Sequence, residues 1–243
     1  MSDDQHDWLV IHRLRFPKVV DGLEAKFPGP LSADVWRFGP ENSELDETGM
    51  LTYRSDAWGG ISLYSSREAA EVIASDPAQS LPFYGEAVES WTAFAVPVSH
   101  RGEVEWRGYV ESNTAIRVAE KDPGGPLAII TTAGYNVLGS EEVARLIFFI
   151  KHVQGVLDFY EGFDGILRSC VFYAAFDGHD GLTCSLWRND AAMQRAAYGQ
   201  GAHREKIESH KVQPMVDRTS FTRARILSSV GTWGGEDPTD QMS

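Results

Sequence analysis

Thr183-Cys184-Ser185-Leu186-Trp187-Arg188-Asn189-Asp190-Ala191-Ala192-Met193 decides how this chain folds. The segment reads as a strand that turns sharply into a helix. A fainter copy of the same junction lies earlier, at Ile61-Ser62-Leu63-Tyr64-Ser65-Ser66-Arg67-Glu68-Ala69-Ala70. Two copies point to a duplicated α+β unit.

Working outward from each copy gives the same order of elements. Upstream, Trp8 to Leu14 is a strand and Pro17 to about Lys26 a short helix, with proline where its missing N–H costs least. Leu31 to Phe38 and Trp58 to Tyr64 are strands, Arg67 to Ser75 a helix, and Trp91 to Val98 a strand. Downstream, Leu127 to Thr132 is a strand. Ser140 caps a long helix to about Tyr160, with Glu141 and Glu142 suited to its N-terminus. Ile166 to Phe176 and Leu182 to Trp187 form a hairpin around Asp177-Gly178-His179-Asp180-Gly181. Asp190 to about Lys211 is a second helix, and Phe221 to Leu227 the last strand.

Each half therefore reads βαββαβ, the ferredoxin-like split βαβ motif. The expected organisation is a first half over 7–110, a linker over 111–126, a second half over 127–235 and a loose acidic tail over 236–243. One sheet face of such a unit stays bare, so the halves are expected to bury those faces against each other as an α+β barrel.

Composition narrows the partners. Net charge is −13, which disfavours nucleic acid and anionic membranes, both of which need clustered Lys and Arg. The most apolar helix, Val143 to Leu157, is interrupted by Arg145, Lys151 and His152, so no integral membrane span is expected. The start, Met1-Ser2-Asp3-Asp4, lacks a signal-peptide pattern, and a reducing cytoplasm is the expected location. Cys170 and Cys184 do not make a disulfide scaffold; counted outward from His179, they are not directly opposite. Gly199-Gln200-Gly201-Ala202-His203-Arg204 lacks the third glycine of a dinucleotide loop and follows no strand. A Walker loop, a zinc-protease helix motif and a nucleophile elbow are all missing.

Several segments together resemble the spheroidene monooxygenase family of carotenoid ketolases. They are Glu89-Ser90-Trp91-Thr92 with Arg101-Gly102, Ser185-Leu186-Trp187, Gly201-Ala202-His203 with Ile207, and Gly231-Thr232-Trp233. The resemblance implies a tandem ferredoxin-like fold of the dimeric α+β barrel kind, a haem b cofactor and O₂-dependent oxygenation of an apolar organic substrate between the halves. Electrons would come from an external ferredoxin or reductase. Family members tend to carry an aromatic pair before the last strand, where this chain has Pro214-Met215-Val216-Asp217-Arg218; that departure bears on the substrate. Other readings of such a barrel are a haem enzyme of another type, such as an aldoxime dehydratase, a cofactor-independent oxygenase, and a non-catalytic haem or ligand carrier.

His203 is the expected iron ligand. On a helical projection it sits at the edge of an apolar stripe with Met193, Ala196 and Ile207. Gly199 and Gln200 lie one turn back. Small residues there leave room for a flat ligand, and the two glycines cost about 1 kcal/mol each in a helix. The same placement also suits a histidine hydrogen-bonded inside a barrel seam. Gln200 and Arg204 are the expected catalytic neighbours, Gln200 by bonding a bound ligand and Arg204 by pairing with a propionate. Arg145, Arg168 and Arg188 are further propionate candidates.

His152 is the competing ligand. Its helix carries one stripe of Val143, Leu146, Ile147, Ile150 and Leu157 and another of Phe149, His152, Val156 and Phe159. One stripe should cover the sheet; the second must face another element, a pocket or a partner chain, which leaves room for a homodimer. Phe149 and His152 are counted with the cofactor contacts on this basis. Trp91, Trp187 and Trp233 are expected to be packing residues.

Overall fold

The chain forms β1 (Trp8–Arg15), β2 (Val35–Pro40), a two-stranded ribbon of β3 (Glu44–Leu45) and β4 (Leu51–Thr52), β5 (Ala57–Tyr64), α1 (Arg67–Ser75) and β6 (Glu89–Gly102). These are followed by β7 (Leu127–Gly134), α2 (Ser140–Glu161), β8 (Ile166–Phe172), β9 (Asp180–Trp187), α3 (Asp190–Tyr198) and β10 (Arg218–Gly231). This computed structural model describes residues 6–20, 29–41, 44–45, 51–52, 55–81, 83–104, 106, 116–136, 139–173, 180–198 and 215–240.

The two strand-to-helix junctions are real and alike. β5 and β9 are both eight residues long, and each is followed by two linking residues and then a helix. In both, the second linking residue caps the helix: Ser66 accepts the Ala69 N–H at 3.3 Å, and Asn189 accepts the Ala192 N–H at 2.9 Å. At α2 the cap differs from expectation. Ser140 is already helical, and the N–H of Gly139 donates to Glu142 Oε2 at 3.0 Å.

All eight long strands join one antiparallel sheet in the order β2-β5-β1-β6-β10-β7-β9-β8. Each half thus arranges its strands fourth, first, third, second outward from the central β6–β10 pair. The sheet curls until its two edges meet. The N–H of Tyr173 donates to the carbonyl of Pro40 at 2.9 Å, and Phe172 lies against Gly59, where any Cβ would fall 2.5 Å from its ring. Gly39 has no room for a side chain either, because the Tyr173 carbonyl occupies that space.

Side-chain alternation divides the sheet into an inner and an outer face. Inside, Leu9, Ile11, Ile61, Trp91, Ala93, Ala128, Cys184, Leu186 and Ala224 belong to one buried cluster. This cluster draws on both halves, so the space between them, where a substrate was expected, holds core side chains. Trp91, Trp187 and Trp233 are all buried, in line with their expected packing role. Outside, Trp8, Val10, Tyr64, Phe94 and Val96 pack beneath α1.

Other expectations change. Residues 17–20 are not helical, and the rest of that expected helix lies outside the described residues. The second strand begins at Val35 rather than Leu31, after a turn in which Ser32 takes φ 59°. The last strand is 14 residues long because it pairs with both β6 and β7. The described part of the linker is strapped down: Ile116 joins the inner core, and Arg117 Nη2 bonds Asp7 at 2.7 Å. The described part of the tail is tied as well, since Asp237 accepts from Trp91 Nε1 at 3.2 Å and from Ser229 at 2.6 Å. Cys170 and Cys184 do stand directly opposite each other across β8 and β9, both as free thiols. The turn spans more residues on one arm than counting from His179 allowed.

Candidate functional site

The outer faces of the two halves are finished differently. In the first half, Trp8, Val10, His12 and Leu14 of β1 and Thr92, Phe94 and Val96 of β6 are all buried. In the second half that face is buried at Leu127, Ile129 and Trp187, where α3 packs, but its far end stays half-buried: Thr131 and Ala133 on β7, Gly181 and Thr183 on β9, Ser169 and Val171 on β8. Register places Thr131 beside Thr183, Thr183 beside Val171, and Ala133 beside Gly181, so they form one continuous floor.

α2 packs against β8 beside this floor and is held at its two ends. At the C-terminal end, the Tyr160 ring meets Trp187 edge-on with centroids 5.0 Å apart, and Phe163 adds a second edge contact at 6.3 Å. At the N-terminal end, Arg145 Nη2 donates to Asp217 Oδ1 at 2.8 Å while its guanidinium lies 5.2 Å from the centroid of the Tyr135 ring. That hydrogen bond holds the Asp217 carboxyl below the usual carboxylate range. Burial pushes the Tyr135 phenol up to about 12, so it stays protonated and its hydroxyl donates to the Met215 carbonyl at 2.8 Å.

Between the anchors none of the apolar side chains is fully buried. Leu146, Phe149, Ile150, Val153, Val156 and Leu157 are all half-buried. With Tyr160 turned to the sheet, helical spacing of about 100° per residue brings Phe149, Val153 and Val156 to the same side. His152 stands about 80° round the helix from Tyr160, at the border of that side, and is half-buried. These half-buried residues, the hydroxyl-bearing strand positions and the His152 imidazole together make a candidate apolar site. Its chemistry suits a flat, largely apolar group better than a small anion. Among the described residues, no three His, Cys, Asp or Glu side chains gather as a metal-binding set.

The other expected site residues divide into two groups. Met193 and Ala196 are buried on the inner side of α3, in a cluster with Leu127, Ile129 and Trp187. Gly199, Gln200, His203 and Arg204 lie outside the described residues. Of the arginines, Arg145 is bonded to Asp217, Arg168 donates to the Trp233 carbonyl at 2.9 Å and to Glu236 at 2.8 Å, and Arg188 lies 3.5 Å from Asp164. The sequence reading missed the small-residue floor and the Tyr135–Arg145–Asp217 clamp. The run Thr131-Thr132-Ala133-Gly134, small where a buried strand would be bulky, was the available signal for the floor.

An eight-stranded α+β barrel of this kind is shared with a solved structure. An aldoxime dehydratase in complex with butyraldoxime matches with a TM-score of 0.58 over 99% of this chain and 86% of that one, at 9% identity. A provisionally named monooxygenase from Fusobacterium nucleatum subsp. nucleatum matches over 94% of this chain and 96% of that one, with a TM-score of 0.40 and 9% identity. A heme-binding protein from Thermus thermophilus matches over 92% of each chain, with a TM-score of 0.29 and 11% identity. Only the first overlap is close enough to define the fold. No protein-family model matches the chain, and neither does any curated protein.

Proposed function

We propose that this chain is a haem-dependent oxygenase built from two tandem ferredoxin-like units, with haem b in the cleft between α2 and the outer face of β7, β9 and β8. The observation that carries the reading is a contrast within the second half: its outer face is packed shut beneath α3 by Leu127, Ile129 and Trp187 and left half-buried along Thr131, Ala133, Gly181 and Thr183. Phe149, Val153 and Val156 supply one apolar wall, and the small floor residues supply the other. Haem, when bound, contributes a redox-active iron that reacts with O₂.

His203 would hold the iron. It lies five positions beyond Tyr198 at the end of α3, a reach of at most roughly 18 Å. Gln200 and Arg204 flank it in sequence, where Gln200 would hydrogen-bond the reacting ligand and Arg204 would pair with a propionate. His152, on α2, is the second choice of ligand. The substrate is an apolar organic molecule and the electron donor an external protein. A second reaction, aldoxime dehydration at the same site, is supported by the fold shared with an aldoxime dehydratase.

Visible spectra after haem addition, ferric and dithionite-reduced, test the site directly. Stoichiometric uptake by the wild type, with the ligation pattern lost in His203→Ala and kept in His152→Ala, is the expected result. The reverse pattern moves the iron to His152. Filling the floor with Ala133→Trp is expected to abolish uptake with the fold intact by circular dichroism. Absence of specific uptake by the wild type would overturn the haem assignment.

A further inference from the structure

Turned away from the sheet, α2 presents a second stripe. Phe148, His152, Gly155 and Phe159 recur at spacings of four, three and four residues, the pattern of a helix–helix seam. Phe148 is 63% exposed, more than any other large hydrophobic side chain among the described residues, and Phe159 is 40% exposed. Phe148 lies about 120° round the helix from Tyr160, so the stripe and the cleft wall are different faces.

We propose that this stripe is the interface of a homodimer in which α2 packs antiparallel against α2 of a second copy. The seam is self-complementary about a two-fold axis. Setting His152 over the partner's Gly155, whose missing side chain leaves a hole, brings Phe148 onto the partner's Phe159. In the same register Lys151 faces the partner's Asp158, and both side chains are exposed in the single chain. Each contact occurs twice, as a two-fold interface requires. Charge favours the same stretch. The chain carries a net −13, yet residues 143–157 contain Arg145, Lys151 and His152 and no carboxylate. Two acidic molecules can approach there without opposing their acids. This inference requires that His152 does not hold the iron and is otherwise independent of haem.

Sedimentation equilibrium on the full chain tests it. The wild type is expected at twice its 26.9 kDa mass at tens of micromolar. Phe148→Glu is expected to raise the dimer dissociation constant at least tenfold with an unchanged circular dichroism spectrum. Lys151→Glu and Asp158→Lys are each expected to weaken the dimer, and the double exchange to restore it. Only a second copy in this register predicts that restoration, since a different partner would be lost in all three. A monomeric wild type, a Phe148→Glu protein that still dimerises, or a double exchange that does not recover would each overturn the proposal.

Discussion

Nδ1 of His12 lies 3.2 Å from the Thr92 hydroxyl, and both side chains are wholly buried on the outer face of the first half. Nε2 of the same ring is buried without a hydrogen-bond partner. Burial lowers the imidazole to about 3, so the folded chain holds it neutral. Unfolded, the ring titrates near 6.5. Below that value the unfolded chain takes up a proton that the folded chain refuses. Stability is therefore unaffected above about pH 6.5 and is lost as pH falls toward 3, at up to ~1.4 kcal/mol per pH unit. Urea unfolding at pH 5 and pH 7.5 should show wild type losing roughly 2 kcal/mol more than His12→Gln. Parallel losses in the two proteins would refute the assignment.

Asp180 and Arg218 form a buried ion pair at one end of the barrel, with side-chain exposures of 1% and 9% and a closest approach of 2.5 Å. Removing the cation leaves a carboxylate with little access to water. Arg218→Met is expected to cost about 3–5 kcal/mol, and Arg218→Met with Asp180→Leu distinctly less. A double-mutant cycle by thermal unfolding, with Asp180→Leu as the second single variant, checks this; a double loss equal to the sum of the two single losses would mean that the pair is not coupled.

The edge contact of Tyr160 on Trp187 anchors α2, and a truncation there should act at a distance. Tyr160→Ala is expected to destabilise the chain by about 1–3 kcal/mol and to weaken haem uptake more than tenfold. Tyr160→Phe keeps the ring and should lose less than Tyr160→Ala in both assays. Uptake insensitive to Tyr160→Ala would detach the cleft from its proposed role.

Cys170 and Cys184 face each other but are sealed inside the barrel, at 3% and 0% exposure. Burial pushes the Cys170 thiol well up, and its neighbour Cys184 adds to the shift, so little reactive thiolate forms at neutral pH. Native protein should leave both thiols unmodified by an aromatic disulfide reagent over an hour, and urea should expose two per chain. Rapid labelling of the native protein would show that the barrel opens readily.

Local patterns in the chain were strong enough to reveal the repeated junction. α1 runs over Arg67–Ser75 as its spacing predicted, because Ser66, Glu68 and the apolar positions agree with one another. The expected helix start at Pro17–Val20 failed where proline was the main signal. Strand lengths were understated at β6 and β10, since their ends are stabilised by partners far away in sequence. The cleft was hardest to read. Its floor is defined by small residues on three separate strands, and only the run Thr131-Thr132-Ala133-Gly134 carried a local signal. The helix above it was legible as doubly apolar, but which stripe faced the sheet depended on Tyr160 meeting Trp187.

The seam between Pro40 and Tyr173 has a further consequence. An open eight-stranded sheet would expose a row of unsatisfied backbone groups along each of its two outer strands, a template on which other chains can add. Curling brings those strands together, and Pro40, which has no N–H to offer, ends one of them. The same meeting point that shapes the barrel therefore guards the chain against edge-to-edge polymerisation. Conditions that part the seam before the core unfolds should set the chain assembling into fibres.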